Sequence, residues 1–322
     1  MRAYRGMSAR TRLTSMLIDR MRRPIETMTE ADIHKERATL VGRGRGQDAL
    51  TGGVDPQVAI TFGTAPARDE ESIGLRIYRP RTVGGRDDIP VIVYLHGGGW
   101  VLGNVVNYDP ICSLLAAQVG ALVVSVDYRM APEHRAPTAA HDVVDAMTWV
   151  AAQGDVLRAD TSRMAVAGDS AGGNLAAVAA QVLRDNGIGV LRHQALIYPA
   201  TDMTMSSPSV WEHAHGSILT KASMDAFADH YAPAGVDRRD PLLSPLFGRL
   251  DALPPALIQT ADLDPIRDDG VRYADALRSA GVAVRLTNYL GVPHGFAQFP
   301  FGTPIGAQHR WELVHELRRH LH

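Results

Sequence analysis

The sequence predicts an α/β protein built on a mostly parallel sheet. Three observations carry this expectation. Short apolar runs of strand length recur at 90–95, 121–126, 164–167 and 195–198. Such unbroken runs suit strands covered on both faces, as in a parallel sheet. Segments of helical character separate them, and strands alternating with helices are the pattern of that architecture. The third observation is the junction at 163–185, RMAVAGDSAGGNLAAVAAQVLRD, where a strand, a tight glycine-rich turn and an Ala- and Leu-rich helix follow one another.

Composition sets the limits. The chain has 322 residues, enough for one large domain with insertions, and 45% of them are hydrophobic. Its 33 Lys+Arg against 35 Asp+Glu give no basic surplus that would point to nucleic acid. The single cysteine, Cys112, excludes an internal disulfide framework, fits a reducing, cytoplasmic setting, and reads as a core residue of a helix. No run of 18 or more apolar residues offers a transmembrane helix.

The elements follow in order. Residues 1–23 carry seven arginines and one acid, Asp19. Leu13, Met16, Leu17 and Met21 recur at i, i+3, i+4 and i+8, one face of a surface or lid helix. A targeting segment or an extension at the start site is the alternative. Residues 24–50 read as polar helix loosening into the connector Gly42-Arg43-Gly44-Arg45-Gly46. Strands are expected at 58–62 and 73–78, with a loop over 80–88. The apolar strand 90–95 runs into His96-Gly97-Gly98-Gly99-Trp100. A helix at 108–119 leads to the strand 121–126, and a helix at 138–153 leads to the elbow strand. Beyond 195–198, strands are expected at 255–261 and 282–289, a helix at 268–280, and a last helix carrying His309, His315 and His320 on ordinary surface or cap positions.

Two of these stretches carry chemistry. Gly168-Asp169-Ser170-Ala171-Gly172 has the spacing of a nucleophile elbow, where a serine sits at the apex of a strained strand-to-helix turn and small neighbours let strand and helix pass closely. The N–H of Ala171 opens the helix, where free donors and the dipole favour an anion. The glycines after 95 allow the backbone to bare N–H groups at a strand end. Acyl transfer needs such donors where charge develops on a carbonyl oxygen, each worth about 3–4 kcal/mol of barrier. The bland readings are a capped helix start and a loose loop. The two stretches together favour an oxyanion site made by Gly97, Gly98 and Ala171, with His96 bracing the loop.

Three blocks, His96-Gly-Gly-Gly-Trp100, Tyr128-Arg-Met-Ala-Pro-Glu-His134 and Gly168-Asp-Ser-Ala-Gly-Gly173, resemble the signature blocks of the hormone-sensitive-lipase family of α/β-hydrolases. Met130 stands where that family has Leu. The resemblance implies an α/β-hydrolase fold, mostly parallel, and a carboxylesterase acting on short- to medium-chain esters without cofactor or metal. It also implies a lid formed by residues 1–50 and an insertion at 202–240, the core being 51–201 and 241–322, and a possible homodimer through the last strand.

In an α/β-hydrolase the order is serine, acid, histidine. The loop after 255–261 offers Asp262, Asp264, Asp268 and Asp269. Asp264-Pro-Ile-Arg-Asp268 resembles the family's Asp-Pro-Leu-Arg-Asp block, which selects Asp264 over Asp262. Asp268 and Asp269 are expected to cap or charge the next helix. Two histidines downstream of Ser170 precede glycine, His215 and His294. His294, in a His-Gly-Phe block after the last strand, is the expected base. Trp100, Tyr108, Trp211, Phe227, Tyr231 and Phe296 are candidate pocket aromatics. Two other functions stay open: a ligand receptor, from relatives that keep the serine and lose the histidine, and amide hydrolysis or deacetylation.

Overall fold

The structure, a computed structural model, describes residues 2–40, 44–81 and 88–322. Gly42 and Arg43 of the expected connector, and most of the expected 80–88 loop, lie outside the described residues.

The chain opens with α1 (Ala9–Met21), α2 (Glu30–Ala38) and α3 (Arg45–Thr51). Thr29 caps α2 in a reciprocal box with Asp32, satisfying two otherwise orphaned donors. Gly44 is the N-cap of α3, so the Gly/Arg run opens a helix where the sequence suggested none. Then come β1 (Val58–Pro66), β2 (Ser72–Pro80), β3 (Pro90–Leu95), α4 (Asp109–Leu115), β4 (Leu122–Asp127), α5 (Thr138–Ala152), α6 (Gly154–Leu157), β5 (Asp160–Asp169), α7 (Ala171–Asp185) and β6 (Leu191–Ile197). The remainder is α8 (Pro208–Glu212), α9 (Lys221–Tyr231), β7 (Ala256–Leu263), α10 (Arg267–Ser279), β8 (Val284–Pro293) and α11 (Gly306–Leu321).

The strands form one eight-stranded sheet in the order β1-β2-β4-β3-β5-β6-β7-β8. The β1–β2 and β2–β4 pairs are antiparallel and the rest parallel. Alternate residues of each strand enter opposite cores, as a period of two demands. Val91, Val93 and Leu95 face α5, α7 and α10, while Ile92 and Tyr94 face α4 and α11. Cys112 is fully buried in α4.

Register delivers the site. Leu95 of β3 pairs with Gly168 of β5, so the glycine run and the elbow leave the sheet side by side. Leu263 of β7 pairs with Pro293 of β8, so Asp264 and His294 are the next residues on two adjacent strands. All of these turns lie at the carboxyl ends of parallel strands, where open α/β sheets hold their ligands.

Candidate active site

Ser170 stands between β5 and α7 with φ 57° and ψ −120°. This is a strained conformation for a residue with a side chain. It is held by packing that only glycine allows: a Cβ on Gly172 would overlap the Leu95 carbonyl oxygen, and one on Gly168 would overlap that of Gly172. The Ser170 N–H donates to the Ile197 carbonyl at 2.9 Å, which ties the elbow to β6.

His294 reaches this serine. Its Nε2 lies 2.9 Å from Ser170 Oγ and its Nδ1 lies 2.7 Å from Asp264 Oδ2. Asp264 is fully buried, and its other oxygen accepts the Ile266 N–H at 2.9 Å. A carboxylate accepting at Nδ1–H leaves Nε2 as acceptor for the serine hydroxyl, an arrangement able to draw off that proton. Asp262 instead accepts from the Gly291 N–H, and His215 is exposed on the loop before α9. Asp268 and Asp269 charge the first turn of α10, as expected. They also bind the 201–209 segment: Asp268 accepts from the Ser209 N–H, and Asp269 from the Thr201 and Asp202 N–H groups and the Ser207 hydroxyl. Burial, helped by the nearby Asp202, pushes the Asp269 carboxyl up to about 7 despite those donors.

The glycine loop corrects one expectation. The Gly97 N–H donates to the Tyr108 hydroxyl at 2.9 Å and to Asp169 Oδ1 at 3.1 Å, so it is already engaged by two protein acceptors. Gly98 and Gly99, at φ 134° and 63°, line the cavity together with Ser170 and Ala171. Gly99 was the third glycine of the run and could have been included on that ground alone. His96 sits behind them, fully buried, with Nδ1 2.9 Å from the Gly97 carbonyl and its ring stacked on Tyr128 at 4.4 Å. Burial holds its pKa below the ordinary value.

Asp169, which sequence reasoning passed over, is the hub of this corner. It is 2% exposed, and its oxygens accept from Tyr94, Tyr108 and Gln298 side chains, each at 3.1 Å, as well as from Gly97. Burial raises its pKa above the ordinary carboxylate range, while the Tyr108, Gln298 and Tyr94 donors pull the other way. One carboxylate thus fixes the glycine loop of β3 relative to the elbow of β5.

The cavity over Ser170 measures about 320 Å³. Its walls are largely apolar, with Met203, Met205, Ile218, Leu219, Phe227 and Phe299, and include Ile18 and Arg22 of α1. Of the candidate aromatics, Trp100, Tyr108 and Phe227 line it. Tyr231 stacks behind Trp100 at 4.7 Å, Phe296 is buried beneath Tyr198, and Trp211 is 67% exposed. His309, expected at the surface, is instead fully buried against Phe296.

An α/β-hydrolase-fold family matches residues 92–298. A carboxylesterase of Mycobacterium tuberculosis, NlhH, is 43% identical over 272 residues, covering 83% of this chain and 84% of that protein. An ethyl acetate hydrolase of Pseudomonas putida is 39% identical over 77% of this chain and 78% of its own. An esterase of Pyrobaculum calidifontis superposes with a TM-score of 0.85 at 38% identity, covering 97% of this chain and 98% of that one. With its three sequence blocks set around one cavity at the carboxyl edge of the sheet, the chain belongs to the α/β-hydrolase family, in the hormone-sensitive-lipase type.

Proposed function

We propose that this protein is a serine carboxylesterase acting on short- to medium-chain acyl esters. The observation that carries the reading is the hydrogen-bonded run Asp264–His294–Ser170, which opens on a cavity bordered by Gly98, Gly99 and Ala171. His294 takes the Ser170 proton as Oγ attacks the ester carbonyl. Asp264 holds the imidazole tautomer and stabilises the imidazolium without itself taking the proton. The N–H groups of Gly98, Gly99 and Ala171 receive the oxyanion, and His294 returns the proton to the leaving alcohol. Water, activated by the same histidine, then frees the acid from the acyl-enzyme. Gly97 braces the donors and is not one of them.

The esterase names of the relatives agree with this reading, and a cavity of about 320 Å³ suits an acyl chain of a few carbons. Residues 1–50 and 202–240 serve as the lid, since Ile18, Arg22, Met203, Met205, Ile218 and Phe227 enclose the serine. The buried, unpaired Cys112 is compatible with a cytoplasmic setting. Among the described residues no helix is long and apolar enough to cross a membrane. Among the described residues β8 pairs only with β7, which leaves an edge for the homodimer that the family resemblance implies.

The test is hydrolysis of p-nitrophenyl esters from acetate to palmitate. The optimum is expected at butyrate or hexanoate, with palmitate poorly turned over. No turnover of any ester would overturn the proposal and favour a ligand receptor.

A further inference from the structure

Helix α1 is turned inside out relative to an ordinary surface helix. Leu13, Met16, Leu17 and Met21 are 72%, 50%, 53% and 76% exposed, while Thr11 and Ser15 are 1% and 0% exposed. The spacing that normally seats an apolar stripe on a core here points it away from the protein. The inward face is fixed by polar contacts. Asp19, the only acid of α1, accepts from the Tyr4 hydroxyl at 2.8 Å, the Ser217 hydroxyl at 2.6 Å and the Ile218 N–H at 2.9 Å.

The outward face is also cationic. At about 100° per residue, Arg10 and Arg20 fall within the arc of the four apolar residues, and Arg12 lies about 40° beyond it on the side of Asp19. All three are exposed, as is Arg5 just before the helix, and none has an ion pair with a described residue. The patch continues beyond the helix. Phe301 is 56% exposed in the short turn Pro300–Gly302, where Gly302 abuts Thr14 of α1. Leu290, 73% exposed, precedes Gly291, where a Cβ would meet the Gly6 carbonyl.

We propose that this face docks onto an anionic lipid surface, with Leu13, Met16, Leu17 and Met21 entering the headgroup boundary and the arginines meeting lipid phosphates. An exposed apolar stripe ringed by arginine with no opposing acid is the make-up of an interfacial helix. A second copy fits less well. A two-fold contact would bring two sets of these arginines into one interface. The docking itself does not depend on the esterase reading. Its consequence does: Ile18 and Arg22, on the inward face of the same helix, line the cavity over Ser170, so docking holds one wall of that cavity at the lipid surface and favours acyl esters that partition there.

The experiment is co-sedimentation of the full chain with vesicles of phosphatidylcholine containing about 30% phosphatidylglycerol, against phosphatidylcholine alone. Binding is expected to the anionic vesicles and to weaken with salt. The triple variants Leu13→Ser/Leu17→Ser/Met21→Ser and Arg10→Gln/Arg12→Gln/Arg20→Gln should each bind at least about tenfold more weakly. Turnover of p-nitrophenyl butyrate in solution and melting temperature should stay at their starting values, and the arginine variant, wholly at the surface, keeps the test valid should the serine variant fold poorly. Absence of vesicle binding, or binding that survives both variants, would overturn the proposal. So would a dimer in sedimentation velocity that the serine variant abolishes, since the face would then belong to a second copy.

Discussion

Two parts of this molecule border the same cavity and obey opposite rules. At the ends of β3 and β5, a buried carboxylate, Asp169, gathers donors from Tyr94, Gly97, Tyr108 and Gln298. Across the cavity, α1 buries Thr11 and Ser15 and exposes Leu13 and Met21. In the first region, polar groups removed from water are paired, because an unpaired one costs about 1–3 kcal/mol. In the second, apolar groups stay in water, forgoing about 1.5–3 kcal/mol for each large side chain left exposed. The difference separates a region shaped for fixed chemistry from one whose surface has a use outside the monomer.

The largest effect expected from disturbing the first region comes from Asp169→Asn. An amide has one acceptor oxygen where the carboxylate has two, so donors from either the Gly97 or the Gln298 side are left facing an NH₂. The prediction is a fall in kcat of about 10- to 100-fold with KM little changed, because the loss loosens the glycine loop that holds the Gly98 and Gly99 N–H groups, which act in the transition state. Tyr108→Phe, which removes one bridge between Gly97 and Asp169, should lower kcat by less. A rise in KM at constant kcat would make Asp169 part of the binding surface and not a positioning residue.

A smaller effect is expected beneath the site, at His309. This ring is fully buried, its Nδ1 lies 2.7 Å from Gln259 Oε1, and burial drops its pKa to about 3. The unfolded chain takes up this proton below about pH 6.5 while the folded chain resists until about pH 3, so the unfolded state binds more protons and stability falls as pH falls through that window. His309→Gln removes the linkage. Relative to the parent, the variant should therefore gain about 3 kcal/mol between about pH 7.5 and pH 4.5, read from urea unfolding midpoints. A constant difference across that range would show that His309 does not resist protonation.

The residues that the structure brings together as Asp264–His294–Ser170 were legible in the sequence because each sits in a short local motif. Ser170 is marked by glycines two residues away, and Asp264 and His294 by their own blocks, so no knowledge of packing was needed to choose them. The strand and helix order was legible for a similar reason, since burial of β3, of residues 122–126 of β4 and of residues 164–169 of β5 leaves largely apolar runs. Asp169 was not legible, although it adjoins Ser170. Its role comes from Tyr94, Gly97, Tyr108 and Gln298, residues that only the sheet register and the turn after His294 bring together. Gly97 failed for the same reason: a glycine run reveals that N–H groups can be bared, not which way each one points. The periodicity of α1 gave a face but not its direction, because spacing alone cannot tell an apolar stripe that faces a core from one that faces solvent. His309 was misjudged for a related reason: the buried side of α11 is set by its packing against Phe296.

The central claim is that His294 activates Ser170 for attack on an acyl carbon. Its most direct test is labelling with a p-nitrophenyl phosphonate, followed by peptide mass spectrometry of the parent and of His294→Ala. The account predicts a single phosphonyl adduct on Ser170 in the parent, loss of ester hydrolysis in step with labelling, and labelling slowed by orders of magnitude in His294→Ala. An adduct on another residue that accounts for the lost activity, or equally fast labelling of Ser170 without the histidine, would contradict it.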